Sequence, residues 1–233
     1  MSTFTVTIEM ASPLVVTAWK PVPISLDGLL FGCIARILGG SPGVLPLPPE
    51  ETRNMIPLDR ETKNGLSIFK ASLPFVEGTN RYDYIAAVSK GADWITSPWL
   101  RRKYPQKSIK EDSGYYQRTL EQYNCIGLRK ISFFCSGDMD RISDIFVQAR
   151  INRMGLGRLR RLGYGRVRKI DIHEVYFDHS MFDGDGRPTR PIPASWVDDQ
   201  NLPKLAVSVL PPYWKSEYKR ICVMPDPEKW LWN

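Results

Sequence analysis

The sequence predicts an α+β fold, on three observations. A strictly alternating strand opens the chain, an amphipathic helix follows it, and a second strand–helix–strand set lies in the later half. Periods of 2 and of 3.6 residues therefore coexist in one chain of 233 residues. Hydrophobic residues at 42% and charged residues at 24% supply enough apolar side chain for a core, and they exclude a disordered or fibrous chain.

In the first element, Phe4, Val6 and Ile8 fall on one face and Thr3, Thr5, Thr7 and Glu9 on the other. That is a half-buried strand, with β-branched content to match. A connector with Pro13, Pro21 and Pro23 follows, holding the pair Trp19-Lys20. Ser25 is placed to cap a helix. Leu26, Leu29, Leu30, Cys33, Ile34 and Ile37 then form one apolar stripe ending at Gly39-Gly40. Residues 41–80 carry six prolines and read as loop, with short strands over 65–73. An Ile- and Phe-rich strand is expected over 128–135. After Ser136-Gly137, Asp138 or Asp140 caps a second helix carrying Ile142, Ile145, Phe146 and Ala149. A last strand is expected over 166–177, with Val167, Ile170, Ile172 and Val175. This β-α-(β)-β-α-β order suggests a ferredoxin-like, RRM-like core from residues 1–89 and 126–180. Residues 90–125 are expected as an inserted region. Residues 181–233, with eight prolines in the last fifty positions, are expected as an irregular region packed on the core.

Several function classes drop out early. The longest apolar stretch, residues 26–38, is 13 residues and holds Asp27 and Arg36, too short to span a bilayer. The first lysine is Lys20 with no apolar run before it, so no signal peptide is expected. Cys33, Cys125, Cys135 and Cys222 form no Cys-x-x-Cys pair, which argues for a reducing cytoplasm and against a zinc site. Asp183 and Asp185 lack the remaining ligands of a calcium loop and read as a Gly-Asp turn. No cofactor or metal is expected.

Charge is the first positive clue. Thirty-two Lys and Arg against 25 Asp and Glu give +7, and the excess is concentrated. From Ile145 to Ile170 there is no acid, while Arg150, Arg153, Arg158, Arg160, Arg161, Arg166, Arg168 and Lys169 supply eight positive charges. A polyanion is the common reason for a folded chain to tolerate such density. A second basic group, Arg101, Arg102, Lys103 and Lys107, is interleaved with Trp99 and Tyr104 and is a second candidate for nucleic-acid contact, either RNA or target DNA.

Within the first tract lies Gly155-Leu-Gly-Arg-Leu-Arg-Arg-Leu-Gly-Tyr-Gly-Arg166. A dinucleotide fingerprint needs glycine where Arg160 stands and runs from strand to helix, whereas this loop leaves a helix and enters a strand. A Walker A loop needs Gly-Lys-Ser/Thr, which is absent. Gly155, Gly157, Gly163 and Gly165 permit close backbone approach to a phosphate chain and can present amide N–H groups to it. Arg158, Arg160, Arg161 and Arg166 match phosphate oxygens, and Tyr164 can stack on an unpaired base. The competing reading is a helix end and tight turn whose arginines face water.

On these residues the chain resembles the RAMP superfamily of CRISPR-associated RNA-binding proteins. Three segments look like the RAMP subunit of type IV CRISPR effector complexes that caps the guide's 5′ end. They are Pro21-Val-Pro-Ile-Ser-Leu-Asp-Gly-Leu-Leu30, the glycine loop, and Arg190-Pro-Ile-Pro193 with Pro211-Pro-Tyr-Trp214; the resemblance runs from about residue 3 to 225. It implies a ferredoxin-like core that holds the 5′ handle of the crRNA and docks the backbone RAMP subunit and the large subunit. It places Gly155, Gly157, Arg158, Arg160, Arg161, Gly163, Tyr164 and Gly165 on the RNA. Charge adds Arg153, Arg166, Arg168 and Lys169.

Sister RAMP proteins cut precursor guide RNA without metal, a chemistry that needs a general base and acid. The only histidines are His173, in an expected strand, and His179, in an expected loop. Their scarcity favours a non-catalytic binding subunit over a guide-processing endonuclease; a general basic RNA-binding module is the third reading.

Overall fold

A computed structural model describes residues 2–16, 24–40, 45–75, 82–90, 119–127, 130–157, 160–197, 202–213 and 215–226. The first strand, β1 (Ser2–Met10), buries every second side chain, so that Phe4, Val6 and Ile8 have no exposed surface. It lies at the centre of a sheet, antiparallel to β7 (Lys130–Gly137) on one side and to β8 (Val167–Glu174) on the other. The run over 70–75 continues the sheet beyond β7. Ser72 N–H donates to Phe134 O at 2.8 Å, and Phe75 and Ser132 exchange backbone bonds at 2.7 and 3.0 Å.

Helix α1 (Leu26–Ile37) starts at Ser25, whose hydroxyl accepts from Gly28 N–H, and stops at Gly39-Gly40 as the stripe predicts. Phe31 is buried, whereas Ile37, at the helix end, is 38% exposed. Helix α3 (Met139–Ala149) is capped by Asp138, whose carboxylate accepts from Arg141 N–H at 3.0 Å. Between them in sequence comes the short α2 (Pro49–Asn54) and the hairpin β3 (Arg60–Lys63) with β4 (Leu66–Phe69). α1 and α3 pack together, and their apolar faces close one side of the sheet in a core with Phe4, Val6, Ile8, Ile131 and Phe133. Each such side chain contributes roughly 1.5–3 kcal/mol by leaving water.

The opposite face of the sheet is polar along β1. Over it sits an aromatic group in which Phe134 meets the His179 ring edge-on at 5.4 Å and Phe177 lies 4.5 Å from the same ring.

Two expectations need correction. Residues 181–233 are not irregular throughout: β9 (Ile192–Pro193), β10 (Lys204–Ser208) and β11 (Lys219–Val223) form an antiparallel sheet in the order β10-β11-β9. Ile68, Met181, Ile192, Val207 and Cys222 give it a core of its own. Its strands are brief and flanked by prolines, and Ile221 is 64% exposed, so no clean alternation marks them. The expected boundary at residue 125 falls inside a strand: β5 (Tyr82–Lys90) pairs with β6 (Thr119–Gly127) from Tyr82↔Gly127 to Lys90↔Thr119. β2 (Leu14–Val16) joins the outer side of β6. Arg101, Arg102, Lys103 and Lys107, with Trp19-Lys20, lie outside the described residues.

Cys33, Cys135 and Cys222 are free and buried. Burial pushes the Cys33 thiol up to about 12 against the pull of Arg36 and Arg160, and Cys222 likewise to about 12. The reactive thiolate is therefore scarce at mildly alkaline pH. Iodoacetamide is expected to leave all three untouched in the folded chain and to modify them in urea, read by mass spectrometry. Labelling of Cys33 in native buffer would contradict this packing.

Candidate nucleic-acid interface

The glycine-rich loop begins where α4 (Ile151–Met154) ends. Gly155 N–H closes the helix on Ile151 O at 2.9 Å, and Leu156 N–H then donates to Gly165 O at 2.7 Å, drawing the two ends of the loop together. The far end is tied to the exit of β1. Gly165 N–H donates to Pro13 O at 2.7 Å, and Ser12 bridges the loop by donating to Gly163 O and accepting from Arg166 N–H, both at 2.8 Å. Gly165 sits at φ +65°, and a Cβ there would overlap the Leu156 carbonyl oxygen. Glycine is required by this close approach of two backbones.

The expectation that all four glycines offer their amides to a ligand needs correction. Gly155, Gly163 and Gly165 donate inside the fold, Gly163 to Arg160 O at 3.0 Å. Among the described residues only the Gly157 amide, of those four, has no internal acceptor. Three of the loop's four glycines thus serve its own closure, while the side chains of Arg160 and Arg166 are exposed.

The absence of acids along the tract does not hold in space. Arg168 reaches Glu9 at 3.3 Å, because antiparallel pairing with a bulge at Glu9/Met10 brings that carboxylate alongside, and Lys169 reaches Asp171, two residues on along the same strand, at 2.8 Å. Arg150, Arg153, Arg160 and Arg166 are exposed and have no carboxylate partner among the described residues. Tyr164 is half-buried. Arg158 lies outside the described residues, as does the side chain of Arg161.

The tract divides between two recesses. Gly155, Gly157 and Arg160 border a cavity of about 370 Å³ whose other walls are Ser25 and Gly28 at the start of α1, and Pro211, Pro212 and Tyr213. Arg153, Arg168 and Lys169 line a separate groove along β8. The first cavity thus joins the three segments that the sequence singled out: the start of α1, the loop, and the proline-rich tail. Pro21, Pro23 and Trp214 themselves lie outside the described residues.

What joins them is a buried polar group that sequence reasoning missed. Asp27, with no exposed surface, accepts from Tyr213 Oη at 2.5 Å and faces Arg190 Nη2 at 3.4 Å. Arg190, 3% exposed, also donates through Nη1 to the carbonyls of Phe69 and Ala71. Burial and the Asp27 charge push the Tyr213 hydroxyl well up from its usual range. Gly28 leaves room for the ring, since a Cβ there would lie 2.9 Å from Tyr213 Cε2. The signal was a carboxylate within an apolar stripe, where a charge needs a partner.

Neither histidine borders the cavity: His173 faces the β8 groove, and His179 is held by Phe134, Phe177 and the Phe182 carbonyl at 3.3 Å. Asp183 serves its own turn, accepting from Asp185 and Arg187 N–H at 3.1 and 2.9 Å. No helix among the described residues is long and apolar enough to cross a membrane.

This arrangement is that of an α+β protein built on antiparallel sheets, with a basic recess around a closed loop, and family comparison places it among the proteins associated with type IV CRISPR systems. The model of the family described as CRISPR type IV associated protein Csf3 matches residues 2–225, and the chain belongs to that family. No curated protein matches the chain.

Proposed function

We propose that the chain is a non-catalytic, cytoplasmic RNA-binding subunit of a type IV CRISPR ribonucleoprotein, holding the 5′ handle of the guide and docking the backbone RAMP subunit and the large subunit. The observation that carries the reading is the cavity where the tied glycine loop meets the start of α1 and the tail, with exposed Arg160 at its rim, in a chain of this family. A loop closed on itself is preorganised, so little ordering cost opposes a phosphate chain laid along it. Its arginines neutralise phosphates, and Tyr164 or the cavity takes an unstacked base. Target choice then comes from guide pairing. We read the core as ferredoxin-like, supported by the antiparallel order β8-β1-β7 continued by residues 70–75, with both long helices on one face.

The test mixes the chain with labelled repeat-containing RNA in EDTA, on native and denaturing gels together. A shifted band of intact RNA is the expected result. Arg158→Glu with Arg161→Glu is expected to abolish the shift while circular dichroism stays native. Affinity should also fall steeply as salt rises, with a slope of roughly −0.7 per phosphate contact to a single strand. Cleavage within the repeat would replace this reading by the endonuclease one, and unchanged affinity of the double variant would move the site elsewhere.

A further inference from the structure

Among the described residues β8 is an edge strand. β1 takes one of its sides, and no described strand takes the other. Between that free edge and α3–α4 runs a groove of about 810 Å³, with Val167 to His173 along one wall and Met139 to Arg153 along the other. A free edge presents a row of N–H and C=O groups, which a second extended chain satisfies by pairing.

The groove is also partly apolar. Val147, on α3, is 73% exposed into it, opposite the half-buried Ile170 and Ile172. Its charge is graded along α3. Asp140 lines it at the helix start, whereas Arg150 and Arg153 line it past the helix end, exposed and without a carboxylate partner among the described residues. Arg168 and Lys169 already hold Glu9 and Asp171.

A phosphate chain laid here would meet Asp140 and would leave the strand edge unpaired. A peptide satisfies the edge, covers Val147, and sets its own acids against Arg150 and Arg153. We propose that the groove between β8 and α3–α4 docks an extended, acidic segment of a partner protein, added as a strand to β8 with an apolar side chain over Val147. This inference stands apart from the RNA reading, which rests on the other recess.

The probes are a short fluorescein-labelled peptide that alternates Val and Thr and ends in glutamates, the same peptide ending in lysines, and a short oligouridylate. Binding is read by anisotropy, and its place by hydrogen–deuterium exchange over residues 167–174. The acidic peptide is expected to bind and to slow exchange along β8. Val147→Asp and Arg150→Asn are each expected to weaken it about tenfold, the equivalent of about 1.4 kcal/mol. Both side chains are exposed, and Asn tolerates the left-handed backbone at φ +52° that Arg150 adopts. Equal binding of the lysine peptide, binding without slowed exchange at β8, slowed exchange with the oligouridylate in place of the peptide, or no binding by any probe would each overturn the proposal.

Discussion

Asp27→Ala is expected to destabilise the fold by about 3–5 kcal/mol, a large share of a single domain's stability. Alanine at this position leaves the Arg190 guanidinium, 3% exposed, without its only carboxylate among the described residues. It also removes the acceptor of the Tyr213 hydroxyl. Removing one partner of a buried ion pair leaves the other charge uncompensated, so the loss exceeds that of an ordinary hydrogen bond. Removing both charges is the informative control. Asp27→Ala with Arg190→Met is expected to recover part of the loss, since no orphaned ion then remains. Urea unfolding of the three chains gives the comparison. A single-variant cost under about 1 kcal/mol would mean that Asp27 is not the buried partner described.

Gly165→Ala is expected to cost at least about 2 kcal/mol, through backbone strain at positive φ together with the overlap on the Leu156 carbonyl. For a chain of this size the midpoint of thermal unfolding would fall by roughly 4–8 °C. The damage should concentrate locally. Leu156 N–H and Gly165 N–H are the donors of the two bonds that close the loop, and both should lose exchange protection. Gly163→Ala is the contrast. A Cβ at Gly163, φ +89°, meets nothing within 4 Å, so only the strain of the backbone remains. Equal costs at the two positions would show that loop closure against Leu156 contributes nothing.

The sheet and its two helices were legible because each has one face in a single core. Period 2 in β1 and the i, i+3, i+4 stripe of α1 follow directly from that burial. Ser25 and Asp138 were readable as caps because capping is a local bond between a side chain and an amide close by. β9, β10 and β11 were not legible, since strands of a few residues on a small core show no sustained alternation. The basic tract was visible as composition, but the pairing of Arg168 with Glu9 was not. Glu9 lies across a strand ladder from Arg168, and no window along the chain contains both. The Asp27–Arg190–Tyr213 group was hidden for the same reason, joining residues up to 186 positions apart.

β1 is the central strand of its sheet, and this sets a clock on synthesis. Its neighbours lie far downstream: the Ser2 hydroxyl bonds Gly137 O across 135 positions, and the Thr3 hydroxyl bonds Val175 O across 172. At about 5–20 residues per second, a nascent β1 waits roughly 7–27 s for its first neighbour and longer for its second. During that interval Thr-Phe-Thr-Val-Thr-Ile, apolar on one face and β-branched at every position but Phe4, has no strand to pair with in its own chain. The strand that organises the finished sheet is thus, until β7 is made, an unpaired edge open to aggregation.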